Sequence, residues 1–224
     1  YHAPTSEEML ASLASATRDE IVQFHRDRYH GSSLILAISG DVDAAATASM
    51  VEMLFGDCPA GRRPVYQQPR TAPGDPVREV VTLRGKANMN MIYGAASGLA
   101  RNDPDYEASL IANAAVGHDA LSSRIGKRVR DTEGLSYDLF SRFWMSDFLD
   151  GFWIVNVAIA PVNLKQALAS TKEEFEKYCR EGITDDEVAI QKQYFAGSYQ
   201  IRLGSNAGLA AALAEAEKFG YGPA

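Results

Sequence analysis

The side chains best suited to holding a polar ligand are concentrated between Ser122 and Tyr137. Arg124, Lys127, Arg128, Arg130 and Tyr137 fall within these sixteen residues. A guanidinium offers N–H donors in a fixed fork, and a phenol offers one O–H. Each also has a purely structural reading. A cation at the end of a helix suits the negative end of the helix dipole, which would account for Arg130. Tyr137 would suit a half-buried strand position.

Other chemistry finds little support. The four histidines are His2, His25, His30 and His118. A zinc site needs converging ligands, usually two from one helical turn. Neither H-E-x-x-H nor H-x-x-E-H occurs, and His25 and His30 are five residues apart, outside helical register. No metal ligand and no bound cofactor are therefore expected in this chain. Ser39-Gly40-Asp41 and Ser97-Gly98 lack the flanks of a nucleophile elbow. Cys58 and Cys179 have no metal or redox spacing and read as free thiols. Glu173, Glu174 and Glu176 alternate with Lys172 and Lys177, as on a solvated helix face. Gly94 to Gly98 does not form a phosphate loop. No residue is assigned a catalytic role, and the chain is expected to be inactive alone.

The formal net charge is −7, and no basic stripe is present, which argues against nucleic acid as a partner. No apolar run reaches the roughly 18 residues that cross a bilayer, so no membrane partner is expected. Tyr1-His2-Ala3-Pro4 carries neither a signal-peptide pattern nor an initiator Met. A piece of something longer is the expectation.

The elements that would position these residues follow from local signals. Thr17-x-x-Glu20 is a capping box opening a helix to about Tyr29. Leu34–Ser39 reads as a short buried strand and Ala44–Phe55 as a helix. Pro59, Gly61, Pro64, Pro69, Pro73, Gly74 and Pro76 crowd the next stretch, so 59–76 is expected to be a linker between domains 1–58 and 77–224. Strands are expected at 77–84 and 88–96. Asn102-Asp103-Pro104 precedes a helix bearing Tyr106, Leu110 and Ala114, and Leu121, Ile125 and Val129 predict another. Residues 135–145 and 151–160 predict two strands, the second alternating Trp153, Val155, Val157 and Ile159 with Ile154, Asn156 and Ala158. Helices are expected over 163–180, from the Thr184-x-x-Glu187 capping box to Leu203, and over 207–219. Paired strands followed by runs of helices predict an α+β fold, an antiparallel-rich sheet with helices packed on one face.

The 122–137 segment also resembles a signature of pitrilysin/insulinase-type zinc metallopeptidases, including those like the mitochondrial processing peptidase. That signature runs L-S-S-R-L-x-x-x-V/L-R-x-x-x-G-L-x-Y. Leu121-Ser122-Ser123-Arg124 matches its opening, and Arg130, Gly134, Leu135 and Tyr137 match its close. Phe24-His25-Arg26-Asp27-Arg28-Tyr29, then Ala37 to Asp43, resemble F-H-x-x-x-Y and V-x-G-D-x-D. Asn102 to Tyr106, Ala160 to Asn163 and Gly182 to Glu187 also fall in family order, so the resemblance covers nearly the whole chain.

The resemblance implies paired α+β half-shell domains around a peptide. One half carries zinc on H-x-x-E-H, and another supplies an Arg and a Tyr seven residues apart that hold the substrate. Arg130 and Tyr137 have that spacing and are the expected substrate-binding residues. The chain would then be a non-catalytic portion, with 1–58 the C-terminal part of a first domain and 77–224 a second domain lacking its closing strand. Its expected partners are a zinc-bearing half, on the same parent chain or a separate subunit, and a peptide. A homodimer covering the unpaired sheet edge is a further expectation. The alternative is an inactive scaffolding subunit, as in respiratory-complex core proteins of this fold. One departure is Val116-Gly117-His118-Asp119-Ala120, where the family has a glycine-rich loop.

Overall fold

The computed structural model describes residues 4–62, 74–97, 99–144, 147 and 151–222. Their contacts divide the chain into two compact units, one of residues 1–65 with 203–224, the other of residues 66–202. Most of the expected 59–76 linker, residues 63–73, lies outside the described residues, as does His2.

The second unit is built on three antiparallel strands in the order β1–β3–β2: β1 (Met89–Ala96), β2 (Ser136–Trp144) and β3 (Phe152–Ile159). The alternation expected of β3 is realised. Trp153, Val155, Val157 and Ile159 are buried, while Ile154, Asn156 and Ala158 are half-buried. Met91 and Leu139 both oppose Val157, so one row of apolar side chains crosses the sheet. The helices α4 (Tyr106–Val116), α5 (Arg124–Gly126) and α6 (Leu164–Glu181) add Val116, Ile125 and Ala167 to this core, and Val129 joins them. Each fully buried branched side chain contributes on the order of 1.5–3 kcal/mol.

A buried polar network ties α4 to the sheet. The Asn113 Oδ1 accepts from Ser141 Oγ at 2.6 Å and Trp153 Nε1 at 2.7 Å, and Asn113 Nδ2 donates to the Ser141 carbonyl. Buried amides left unpaired are costly, so this network also fixes register.

The helix expected through Leu121, Ile125 and Val129 is shorter and less regular. The Asp119 carboxylate accepts from the Leu121 and Ser122 N–H groups, and the Ser123 hydroxyl caps Gly126, so helix starts only at Arg124. Leu121 is left exposed. From Lys127 to Thr132 the turns are π-helical. They close at Gly134, whose φ of +63° suits a residue without Cβ, while the Leu135 N–H donates to the Val129 carbonyl.

α7 (Asp185–Leu203) begins at the expected capping box, with Glu187 N–H donating to Thr184 Oγ1. Two expected strands do not form. Leu34–Ser39 and 77–84 belong to no sheet among the described residues, and Val77, Val80, Val81 and Leu83 are exposed. A strand needs a neighbour to receive its backbone hydrogen bonds, and among the described residues neither segment has one.

The first unit holds α1 (Ser6–Ser15), α2 (Arg18–Arg28), α3 (Ala44–Phe55) and α8 (Asn206–Phe219). α1 was not anticipated. It starts at a second capping box, Thr5 with Glu8. None of these four helices buries a residue. His30 is the one buried residue among those described in this unit, with Nδ1 2.8 Å from Ser32 Oγ. Among the described residues no helix is long and apolar enough to cross a membrane.

Candidate functional site

Three arginines share the corner that runs from α5 through the π-helical turns to β2, and their surroundings differ. Arg124 is 16% exposed at its side chain. It donates from Nε and Nη2 to the two oxygens of Glu187, both at 2.7 Å, and from Nη2 to the Gly182 carbonyl at 3.0 Å. Its guanidinium also lies over the Tyr178 ring at 4.9 Å. The bidentate bonds from Arg124, opposed by burial, lower the Glu187 pKa to about 2. The same carboxylate accepts from Thr184 N–H at the start of α7. Arg124 is therefore a clamp between the corner and α7.

Arg128 is similarly committed. It bonds Glu133 and approaches Glu173 and Glu174 at 3.4 and 3.5 Å. Partial burial would raise the Glu133 pKa, but the Ser170 hydroxyl at 2.6 Å and Arg128 hold it below the ordinary carboxylate value. These ties join the corner to α6.

Arg130 differs from both. It points from the last π-helical turn, 24% exposed, and among the described residues its ion pair is with its neighbour Asp131, at 3.4 Å and 51% exposed. Its guanidinium stands 5.1 Å from the centre of the Tyr137 ring. Tyr137 is 85% exposed. The half-buried strand position considered for it from the sequence is thus replaced by an open one. The cause is a bulge: between Ser136 and Leu139 the pairing with β3 slips by one residue, leaving Tyr137 and Asp138 unpaired. Ser136 Oγ fastens the bulge by donating to the Ala158 carbonyl at 2.7 Å. No hydrogen bond to the Tyr137 hydroxyl is formed among the described residues. The fold thus brings the two expected site residues together, seven apart in sequence, as an exposed phenol beside a cation with spare donors.

The loop before the corner sits close to the sheet. Gly117 accepts from Ser141 N–H at 2.5 Å, and a Cβ on Gly117 would lie 2.9 Å from Ser141 Oγ. Two shallow clefts are present, one of them at the corner itself. One of about 610 Å³ is lined by Leu34 to Ile38 and Leu213, and one of about 360 Å³ by Arg124, Lys127, Arg128 and Glu174. Neither includes Arg130 or Tyr137 in its lining.

Among the described residues no three His, Cys, Asp or Glu side chains stand together as a metal site. His25 stacks on Tyr29 with centroids 4.9 Å apart, His30 is bonded to Ser32, and His118 lies beside Tyr194 and Phe195.

A sequence reading could find Thr184 and Glu187 as a cap. It could not find that Glu187 is also the partner of Arg124, 63 residues away.

A family profile described as the peptidase M16 inactive domain matches residues 15–195. A Streptomyces coelicolor protein named as an uncharacterized zinc protease is 28% identical over 196 residues, covering 84% of this chain and 41% of the relative. A Mycobacterium tuberculosis protein of the same description is 29% identical over 196 residues, covering 86% and 44%. The chain thus spans less than half the length of these relatives. Among solved structures, a peptidase M16 inactive domain from Pseudomonas fluorescens superposes with a TM-score of 0.78 at 22% identity, over 95% of this chain and 50% of that one. A protease from Helicobacter pylori gives 0.76 at 19% identity, over 94% and 51%. At these identities the superpositions speak to the fold.

Proposed function

Because the chain belongs to the peptidase M16 inactive-domain family, the pitrilysin/insulinase type, we propose that it is the non-catalytic, substrate-holding portion of a zinc peptidase. In this reading a zinc-bearing half, on the same parent chain or a separate subunit, supplies the metal and the water that attacks the peptide. Relatives named zinc proteases, of whose length the match covers 41% and 44%, support it. Arg130 donates to a carbonyl of the bound peptide, and the Tyr137 hydroxyl donates to the oxyanion that develops at the scissile carbonyl. Donors pre-set for the transition state accelerate reaction more than donors that bind substrate and transition state alike.

The observation that carries this reading is the contrast within the corner. Among the described residues Arg124 and Arg128 are consumed by half-buried carboxylates, whereas Arg130 meets the exposed Asp131 and leans over an exposed tyrosine. The domain organisation belongs to the same proposal: 1–58 as the tail of one α+β domain, 59–76 as linker and 77–224 as a second domain. The absence of a buried residue from α1, α2 and α3 supports a first domain completed by further protein, either the zinc-bearing half or a second copy.

The test is reconstitution. The chain alone should cleave no peptide, the zinc-bearing half alone little, and the two together should be active, with activity lost in Arg130→Ala. An assembled pair in which Arg130→Ala and Tyr137→Phe leave cleavage untouched would favour the scaffolding alternative instead.

A further inference from the structure

The sheet of the second unit has two faces of different character. One faces α4, α5 and α6 and carries all the buried strand residues. The other has no buried residue. On it the register aligns Trp144 with Phe152, Arg142 with Ile154 and Gly94, and Phe140 with Asn156 and Ile92. Ile92 is 63% exposed, and Trp144 and Phe152 are exposed as well. The missing Cβ at Gly94 keeps the middle of the face shallow. A methyl there would lie 3.0 Å from Ile154 Cγ2 and 2.5 Å from the Trp153 carbonyl.

The charge on this face is one-sided. Arg142 is stacked between its strand neighbours, with its guanidinium carbon 3.8 Å from the Phe140 ring centre and 5.3 Å from that of Trp144. Among the described residues it bonds no carboxylate. Asp138, four residues earlier at the bulge, makes no ion pair with it. From Asn90 to Ala96, Phe140 to Trp144 and Phe152 to Ala158 there is one cation and no acid. An arginine fixed between two aromatic rings keeps its edge donors free while its planar faces are covered.

We infer that this open face binds an extended peptide in which a Glu or Asp stands between two apolar residues, at alternate positions. In an extended chain, residues i, i+2 and i+4 project to one side at the same spacing as Phe140, Arg142 and Trp144. The central carboxylate would take the bidentate donors of Arg142, and the flanking apolar side chains would cover Phe140 and the Trp144–Phe152 row. This inference rests on the reading that the chain holds peptide at all. It adds the class of side chain selected on the strand that also carries Tyr137.

The test is fluorescence anisotropy at low salt on the full chain. It uses a short labelled peptide of the pattern Leu-Thr-Glu-Thr-Phe and its Gln counterpart. The Glu peptide should bind about tenfold tighter, a preference that falls at high salt. Arg142→Gln should erase it while far-UV circular dichroism and melting stay unchanged. Arg130→Ala should weaken both peptides equally. Equal affinity for the two peptides, or a preference that survives Arg142→Gln, overturns the inference. So does an Arg142→Gln effect confined to self-association in light scattering, which would mark the face as a contact between copies. A Glu preference lost in Arg142→Gln but indifferent to Arg130→Ala would sustain this inference and sink the role given to Arg130.

Discussion

Arg124 and Arg130 stand six residues apart at one corner of the second unit in different surroundings. Arg124 is enclosed, doubly bonded to Glu187 and stacked on Tyr178. Arg130 is half-buried but meets no buried carboxylate among the described residues, with an exposed aspartate for a neighbour and an exposed phenol beneath it. The difference separates an arginine that holds the fold from the one we propose holds a ligand. Residue type does not distinguish them. The number and burial of the carboxylates around each one do.

Arg124→Ala should cost the fold most. It leaves Glu187 partly buried without its cation, a loss of roughly 2–3 kcal/mol, less than a fully buried pair costs because both groups keep some solvent. Thermal or urea denaturation reads this directly, and peptide affinity measured below the transition should be unchanged. A variant that melts normally but binds peptide poorly would reverse the assignment of the two arginines.

Acid should expose the same tie. Glu187 is shifted from an ordinary 4.5 to about 2. Its carboxylate is thus stabilised in the folded state, and the contribution is full above pH 4.5. It is lost as pH falls from 4.5 towards 2, where the folded protein takes up the proton. Glu187→Gln should melt lower at pH 7 and show a flatter decline over that window. An unchanged pH profile would mean the pair adds nothing to stability.

Arg130→Ala should change stability by no more than about 0.5 kcal/mol, as for an exposed ion pair, yet weaken peptide binding about tenfold. Isothermal calorimetry beside a melting curve separates the two effects. A large drop in melting temperature with unchanged binding would make Arg130 a second structural tie.

Much of this architecture was legible in the sequence. The capping boxes at Thr17–Glu20 and Thr184–Glu187, the limits of α3 and the alternation of β3 are all local signals, and each appears in the structure. What failed was non-local. Leu34–Ser39 and 77–84 have the composition of strands, but strand formation depends on a partner that composition does not reveal. The π-helical turns and the bulge at Tyr137 were equally hidden, because they occur where Val129 is buried in the core and Ser136 bonds across to β3, contacts that local spacing does not reveal. The spacing of Arg130 and Tyr137 was readable; their exposure, and the commitment of Arg124 and Arg128 elsewhere, were not.

Tyr137→Phe removes one exposed hydroxyl and nothing that packs, so it should leave melting unchanged. Steady-state kinetics of the assembled peptidase carrying that substitution test the central claim most directly. A donor to the developing oxyanion predicts a fall in kcat on the order of 10²-fold or more, with KM little altered. Wild-type kcat in the Tyr137→Phe enzyme would contradict the account and return Tyr137 to the surface of a structural domain.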